Sequence, residues 1–77
     1  MDLRRAFAAN VVKLRAARGI TQEELAHRAD INRSYMSDLE NARTYVGLEI
    51  LGKIADVLGV EGADLLKKAK PTSPKRK

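Results

Sequence analysis

The length, composition and charge of this chain limit its function before any motif is considered. It has 77 residues and no cysteine, and a chain of this size buries only about 60% of its unfolded surface, so its core is small. The formal net charge is +5, but residues 68–77 hold five of the fifteen basic residues and no acidic residue, so residues 1–67 have no net charge. Any attraction to a polyanion must therefore come from a local cluster or from the terminal segment.

Catalysis, metal binding and membrane insertion have no signal in the sequence. The one histidine, His27, falls on the outer side of a predicted helix, with no cysteine and no carboxylate pair to activate it. We find no glycine-rich phosphate loop, no cluster with metal-ligand spacing, no membrane-spanning apolar run and no signal peptide. We therefore expect a cytoplasmic protein that is not an enzyme and that uses no cofactor, metal or small-molecule ligand.

The first predicted helix has one apolar face. Leu3, Phe7, Val11 and Leu14 recur at three- and four-residue spacing, which indicates an amphipathic helix. Gly19 suits the left-handed residue that ends such a helix.

A capped helix, a short turn and a second capped helix follow. Thr21 and Glu24 form a capping box, which satisfies the free N–H groups at the start of a helix. Asp30 falls where the chain must turn, and Asn32 is a strong N-cap for the next helix, residues 33–41. A connection of about three residues is typical of a helix-turn-helix unit.

The second of these helices has a polar face opposite an apolar one. Tyr35, Met36 and Leu39 share the apolar side. The polar side, within about 140° at 100° per residue, holds Arg33, Ser34, Ser37, Asp38 and Asn41. An ordinary solvated face is the alternative, but it would carry Glu and Lys pairs rather than short polar groups. Arginine can pair with guanine, serine can reach either base type and aspartate can accept from cytosine. A carboxylate that faces DNA would otherwise be repelled by phosphate, so Asp38 either reads a cytosine or repels wrong sequences. We therefore predict that four residues read DNA base edges: Arg33, Ser34, Ser37 and Asp38.

The remaining chain predicts two more helices. The inner stripe of the fourth helix is Leu48, Leu51, Ile54, Ala55 and Leu58. Gly59 ends that helix, and a short fifth helix is predicted near residues 62–69. The fold class is therefore all-α, with a helix-turn-helix domain over residues 1–69 (the motif itself over about 21–41). Residues 70–77 are predicted to be a disordered basic tail, which either adds non-specific phosphate contacts or touches nothing.

The last two predicted helices offer more apolar positions than one stripe requires. The additional residues are Ile50, Val57, Leu65 and Leu66. They are candidates for a surface between two copies of the chain. The alternative is that they fill the core of the monomer, above all Leu65 and Leu66.

Residues 22–41, QEELAHRADINRSYMSDLEN, resemble the helix-turn-helix of the phage repressor and Cro-like family, often called XRE-type regulators. The matching positions are Gln22, Ala26, Ile31, Met36, Leu39 and Glu40. With the later run LEILGKIADVLGV, the resemblance covers about residues 8–66. It implies a compact five-helix, lambda-repressor-like fold whose third helix enters the major groove. It also implies a homodimer on a palindromic double-stranded DNA site, associated with the nucleoid when bound.

The resemblance assigns a role to each matching polar residue. Arg33, Ser34, Ser37 and Asp38 align with base-reading positions. Gln22 contacts a phosphate and braces the first residue of the recognition helix. The full set of expected phosphate contacts is Thr21, Gln22, Asn41, Arg43 and Thr44. Arg15 and Glu40 are expected to form a structural pair.

The sequence departs from the family pattern near the ends of the two motif helices. Asp30 stands where glycine is usual in the turn. Ala42 replaces the common glycine after the third helix, so Asn41 is expected to adopt the left-handed conformation. The proline often found before the fourth helix is absent, and residues 44–47 read TYVG.

Two classes of function fit these features. The first is a stand-alone transcriptional regulator that occupies an operator. The start of the recognition helix, Arg33-Ser34-Tyr35, is similar to that of controller proteins of restriction–modification systems, and phage repressors and antitoxins share the fold. The second class is a protein-interaction module or an antitoxin-like protein that binds a protein partner. The polar face favours the first class, because a partner-binding helix more often exposes Leu, Met or aromatic residues.

Overall fold

The structure, a computed structural model, describes residues 2–68. Within that range four α-helices and one short 3₁₀ helix follow one another, and there is no strand. Their bounds are α1 Leu3–Ala17, α2 Gln22–Arg28, α3 Arg33–Glu40, α4 Leu48–Leu58 and the 3₁₀ helix Gly62–Leu66. The all-α fold class is confirmed. The predicted tail, residues 70–77, lies outside the described residues.

The two helices of the motif begin at the caps that the sequence identified. Thr21 Oγ1 accepts the N–H of Glu24 at 3.0 Å, and Asn32 Oδ1 accepts the N–H of Ser34 at 2.7 Å. The capping box predicted at the first of them is half formed. Its carboxylate, on Glu24, pairs with Arg28 one turn further along α2 instead.

All four α-helices end in a left-handed residue. These residues, with their φ angles, are Gly19 (66°), Asp30 (57°), Ala42 (57°) and Gly59 (71°). After α3 the N–H of Ala42 donates to the Leu39 carbonyl at 3.2 Å, and that of Arg43 donates to the Asp38 carbonyl at 2.9 Å. This pair of bonds is a Schellman motif. The expectation for Asn41 is wrong: its φ is −100°, because these bonds require the left-handed residue one position later, at Ala42.

One core is shared by all five elements. The largest fully buried side chains are Val11, Leu25, Met36, Leu39, Ile54, Leu58 and Leu65. α1 lies against both α3 and the 3₁₀ helix, α2 packs on α3, and α4 closes the other side against the 3₁₀ helix. The core therefore fixes α3 from one side only, and its other face is open.

Two residues predicted on inner stripes lie outside this core. Leu3 is 52% exposed and Leu48 is 82% exposed. Each is the first residue of its helix, so its side chain lies at the edge of the bundle. The buried stripes begin one turn later, at Phe7 and Leu51.

The predicted fifth helix over 62–69 is the shorter 3₁₀ helix. Asn10 of α1 ties it down, because its Nδ2 donates to the Leu65 carbonyl at 2.9 Å and to the Lys67 carbonyl at 2.8 Å. The Leu65 side chain is fully buried in the core. Its assignment to a surface between copies is therefore wrong. The other three candidates are partly buried: Ile50, Val57 and Leu66.

Candidate nucleic-acid interface

The recognition-type helix α3 is held by the face opposite its polar residues. Met36 and Leu39 are fully buried, and Tyr35 packs against the same core. Because α1 and α2 both contact this side, the outer face of α3 stays uncovered in the monomer. A helix must be presented in this way to enter a DNA groove.

A shallow polar cleft runs along the first half of α3. Its lining residues are Gln22, Asn32, Arg33, Ser34 and Ser37. The structure thus brings three of the four predicted base-reading residues together with one predicted phosphate contact. Sequence reasoning used Asn32 only as a helix cap and missed its place in the cleft. The group combines hydrogen-bond donors and acceptors, which is the chemistry that reads base edges.

Asp38, the fourth predicted base reader, lies towards the loop after α3. Its Oδ1 is 3.6 Å from Nη1 of Arg43. Arg33 has a similar neighbour, since its Nη1 is 3.8 Å from Oε1 of Glu23. No spacing rule links residues on two different helices, which is why Glu23 was missed. The Arg33, Glu23 and Arg43 side chains are largely exposed, and that of Asp38 is 47% exposed. Such pairs contribute little to stability, so either arginine can turn to meet an anion.

Glu40, the last residue of α3, accepts hydrogen bonds from side chains of α1 and α2. Arg15 Nε and Nη2 donate to its two carboxylate oxygens at 2.8 and 2.9 Å, which is a bidentate pair. Gln22 Nε2 donates to the same carboxylate at 3.1 Å. The Glu40 side chain is only 5% exposed, so this network is a partly buried clamp between α1, α2 and α3. Gln22 therefore braces the end of α3, whereas the resemblance placed its contact at the first residue.

The other expected phosphate contacts do not form one cluster with the cleft. Thr21 is exposed at the start of α2, where its hydroxyl caps the helix. Asn41 Nδ2 donates to the Ser37 carbonyl at 2.8 Å, within the last turn of α3. Thr44 lines an apolar groove rather than the polar cleft. The residues expected to contact phosphates are thus spread over the start of α2, the end of α3 and the loop after it.

Within residues 2–68 no three His, Cys, Asp or Glu side chains are grouped closely enough to hold a metal ion. The same part of the chain has no helix with the length and apolar character needed to cross a membrane. His27 is exposed on α2 and does not line the cleft.

Comparison with known proteins identifies the group to which this arrangement belongs. A family model described as helix-turn-helix matches residues 11–65, which include the whole of α2, α3 and α4. The chain belongs to the helix-turn-helix family. This agrees with the resemblance to XRE-type regulators, which is confirmed. Members of the family are transcriptional regulators and not enzymes, and the same holds for this chain.

Individual helix-turn-helix proteins match over most of their length. The chain is 35% identical over 66 residues to an uncharacterized HTH-type transcriptional regulator, y4dJ, of Sinorhizobium fredii, covering 86% of each. It is 36% identical over 66 residues to the control protein C.BamHI of Bacillus amyloliquefaciens, covering 84% of this chain and 82% of that protein. The crystal structure of the restriction-modification controller protein C.AhdI from Aeromonas hydrophila aligns with a TM-score of 0.77 at 32% identity, covering 80% of this chain and 94% of that one.

Proposed function

We propose that this helix-turn-helix protein regulates transcription by docking α3 in the major groove of a specific operator. The observation that carries the proposal is the polar cleft: Arg33, Ser34 and Ser37 lie together on the open face of α3. The opposite face of that helix carries the fully buried Met36 and Leu39. Rigid presentation of short polar groups and one arginine is what direct base readout requires.

The cleft residues have distinct roles in this proposal. Arg33 pairs with guanine O6 and N7, and Ser34 and Ser37 contact neighbouring bases. Asp38 accepts from a cytosine or, through its position 3.6 Å from Arg43, directs that arginine towards the DNA backbone. The two roles proposed for Asp38 predict different results when the carboxylate is removed. If Asp38 accepts from a cytosine, the preference at one base position is lost; if it directs Arg43, that preference stays.

Contacts to phosphates on either side of the groove complete the proposed interface. The proposed residues are Thr21, Gln22, Asn41, Arg43 and Thr44. Thr21 and Gln22 lie at the start of α2 and Asn41 follows α3. Gln22 Nε2 is 3.1 Å from the Glu40 carboxylate at the end of α3, so contacts from both segments would lie beside the recognition helix. Phosphate contacts of this kind fix the register of the protein on the duplex, and the base contacts give specificity.

We further propose that the protein acts as a homodimer on a palindromic operator. Proteins with this motif bind two half-sites about one helical turn apart through a two-fold axis. The relatives C.BamHI and C.AhdI are named as a control protein and a restriction-modification controller protein. Control of a restriction–modification system is therefore the most specific form of the proposal.

Selection of bound sequences from a random duplex pool tests the proposal directly. The purified full chain is used at near-physiological salt, because DNA affinity has no meaning without a stated salt concentration. An enriched palindrome with half-sites roughly 10 bp apart supports a dimeric, sequence-specific regulator. Salt-sensitive retention without any enriched sequence contradicts it.

Arg33→Ala tests the assignment of the cleft. We expect a loss of roughly 1–3 kcal/mol in binding the selected operator, with relaxed preference at one base position. Arg28→Ala is the matched control, because Arg28 is an exposed arginine of the neighbouring helix that does not line the cleft. If Arg33→Ala leaves operator binding intact while abolishing a complex with another protein, the chain is an interaction module or antitoxin-like protein instead.

A further inference from the structure

The arginine proposed to read a guanine has a carboxylate from another helix beside it. Nη1 of Arg33, at the start of α3, lies 3.8 Å from Oε1 of Glu23, in the first turn of α2. The two side chains are 66% and 73% exposed, so both are open to an approaching ligand. The separation is too long for a hydrogen bond, and the two groups therefore interact through charge alone.

The position of Glu23 works against DNA binding in general. Glu23 follows Gln22, which lines the polar cleft together with Arg33, so its charge lies at the edge of the proposed DNA-binding side. DNA carries one negative charge for about every 1.7 Å of its axis, and these phosphates repel a carboxylate whatever the base sequence is. Because an exposed ion pair contributes little to stability, the main effect of this pair is on binding rather than on folding.

The carboxylate affects two kinds of DNA contact by Arg33 differently. A phosphate attracts Arg33 through charge, and Glu23 competes for the same charge. A guanine instead accepts two hydrogen bonds from one guanidinium, at O6 and N7. The ion pair with Glu23 uses none of the five N–H donors of the guanidinium, so this bidentate contact stays available. Glu23 thus weakens the contact that every sequence offers more than the contact that only guanine offers.

A second arginine near the cleft is balanced in the same way. Nη1 of Arg43 lies 3.6 Å from Oδ1 of Asp38, and residues 1–67 have no net charge. The folded body therefore lacks the positive field that drives sequence-independent binding to DNA. Of the two carboxylates, only that of Glu23 lies beside a residue of the polar cleft.

We propose that Glu23 is a specificity-determining residue. Its carboxylate restrains Arg33 from meeting phosphates and so lowers the affinity for unrelated DNA more than the affinity for the operator. Glu23 acts through Arg33 and does not itself contact a base. The inference deepens the proposed function and rests on it, because it requires that Arg33 reads a base in the operator.

Glu23→Gln tests the inference, because it removes the charge and keeps the size of the side chain. Affinities of the full chain are measured over a range of salt concentrations for the selected operator and for an unrelated duplex of the same length. We expect affinity for the unrelated duplex to rise about fivefold, the upper end of what an exposed pair contributes. Its slope of log affinity against log salt should become steeper by about 0.9 for each copy, since Arg33 neutralises one more phosphate. Operator affinity should change much less, so the ratio of the two affinities falls.

Two control variants show whether the effect passes through Arg33. Glu24→Gln removes the same charge from the same turn of α2, but Glu24 pairs with Arg28, so the ratio of affinities should stay at the wild-type value. Glu23→Gln is also made in the Arg33→Ala background. There it should change the affinity for the unrelated duplex no more than Glu24→Gln does, because no arginine remains to be released.

Three results would contradict these expectations, each in a different way. A Glu23→Gln variant with the wild-type ratio of affinities would overturn the inference and leave the proposed function standing. An equal gain in affinity for the unrelated duplex with and without Arg33 would also overturn it, because Glu23 would then repel phosphates directly. A wild-type chain that binds both duplexes equally would overturn the proposed function and this inference with it.

Discussion

At the scale of single residues, the polar groups of α3 divide into those that hold the helix and those that face outwards. Glu40 is almost fully covered and receives three hydrogen bonds from Arg15 and Gln22. Arg33 and Ser34 are exposed and line the cleft. The short helix α3 thus contains both the residue that attaches it to α1 and α2 and the residues that line the exposed cleft.

Removal of Arg15 should show how strongly the clamp depends on pairing. Arg15→Leu leaves the Glu40 carboxylate in a nearly closed site without its main partner, and breaking such a pair costs about 3 kcal/mol. We expect this loss in the free energy of unfolding measured by urea denaturation. The double variant Arg15→Leu/Glu40→Leu should recover most of it, because no unpaired charge remains.

Arg28→Leu is the control for this prediction, since its ion pair with Glu24 is exposed. It should change the free energy of unfolding by no more than about 0.5 kcal/mol. Equal losses for Arg15→Leu and Arg28→Leu would mean that the clamp contributes no more than a surface pair.

The sequence was enough to predict which residues lie on the outer face of α3, but not which residues of other elements lie beside them. The polar face of α3 follows from the 3.6-residue period, so Arg33, Ser34 and Ser37 were found. The pairs of Arg33 with Glu23 and of Asp38 with Arg43 depend on how elements pack and on where the loop returns. No local pattern carries that information.

At the scale of elements, the helix starts were predictable and the helix ends were only partly so. The Thr21 and Asn32 side chains cap their helices by accepting hydrogen bonds from the backbone three and two positions later. A short stretch of sequence is enough to predict such a cap. The left-handed residue after α3 was expected at Asn41 and is Ala42, because its position depends on the two backbone hydrogen bonds that end the helix. Leu3 and Leu48 were expected to be buried and are exposed. An apolar stripe shows which side of a helix faces the core, but not where the neighbouring element ends.

The strain at Ala42 yields a stability prediction. A left-handed conformation costs an L-residue with a Cβ roughly 1–2 kcal/mol, and Ala42 has a φ of 57°. Ala42→Gly should therefore raise the free energy of unfolding by about 1 kcal/mol. The measurement is chemical denaturation of the two proteins in parallel.

The same substitution within a helix should have the opposite sign. Ala9 is exposed in the middle of α1, where alanine-to-glycine replacement costs about 1 kcal/mol. A destabilised Ala42→Gly variant would show that the loop after α3 does not keep this turn in solution.

At the scale of the whole molecule, charge is divided unevenly along the chain. Residues 1–67 have no net charge, and the basic excess lies in residues 68–77. The two arginines nearest the proposed DNA-binding side each have a carboxylate neighbour. We infer that the folded body supplies base preference while the terminal segment supplies most of the non-specific attraction.

Deletion of residues 70–77 tests this division. If Arg43 is the only cationic side chain of the body that neutralises a phosphate, the slope of log affinity against log salt is about −1 for each copy. The full chain should show a steeper slope and stronger binding to unrelated DNA. The truncated chain should keep the base preference of the full chain, and loss of that preference would place specific contacts in the deleted segment.

The clamp at Glu40 has a consequence for how such a protein can change its target during evolution. Because α3 is fixed at its buried end by Arg15 and Gln22, its tilt does not depend on the side chains at its outer face. The Arg33 and Ser34 side chains make no contact that holds the helices together among residues 2–68 beyond the exposed pair with Glu23. Under the proposed function, substitutions at these positions change the DNA sequence that the protein prefers while the helix bundle keeps its stability.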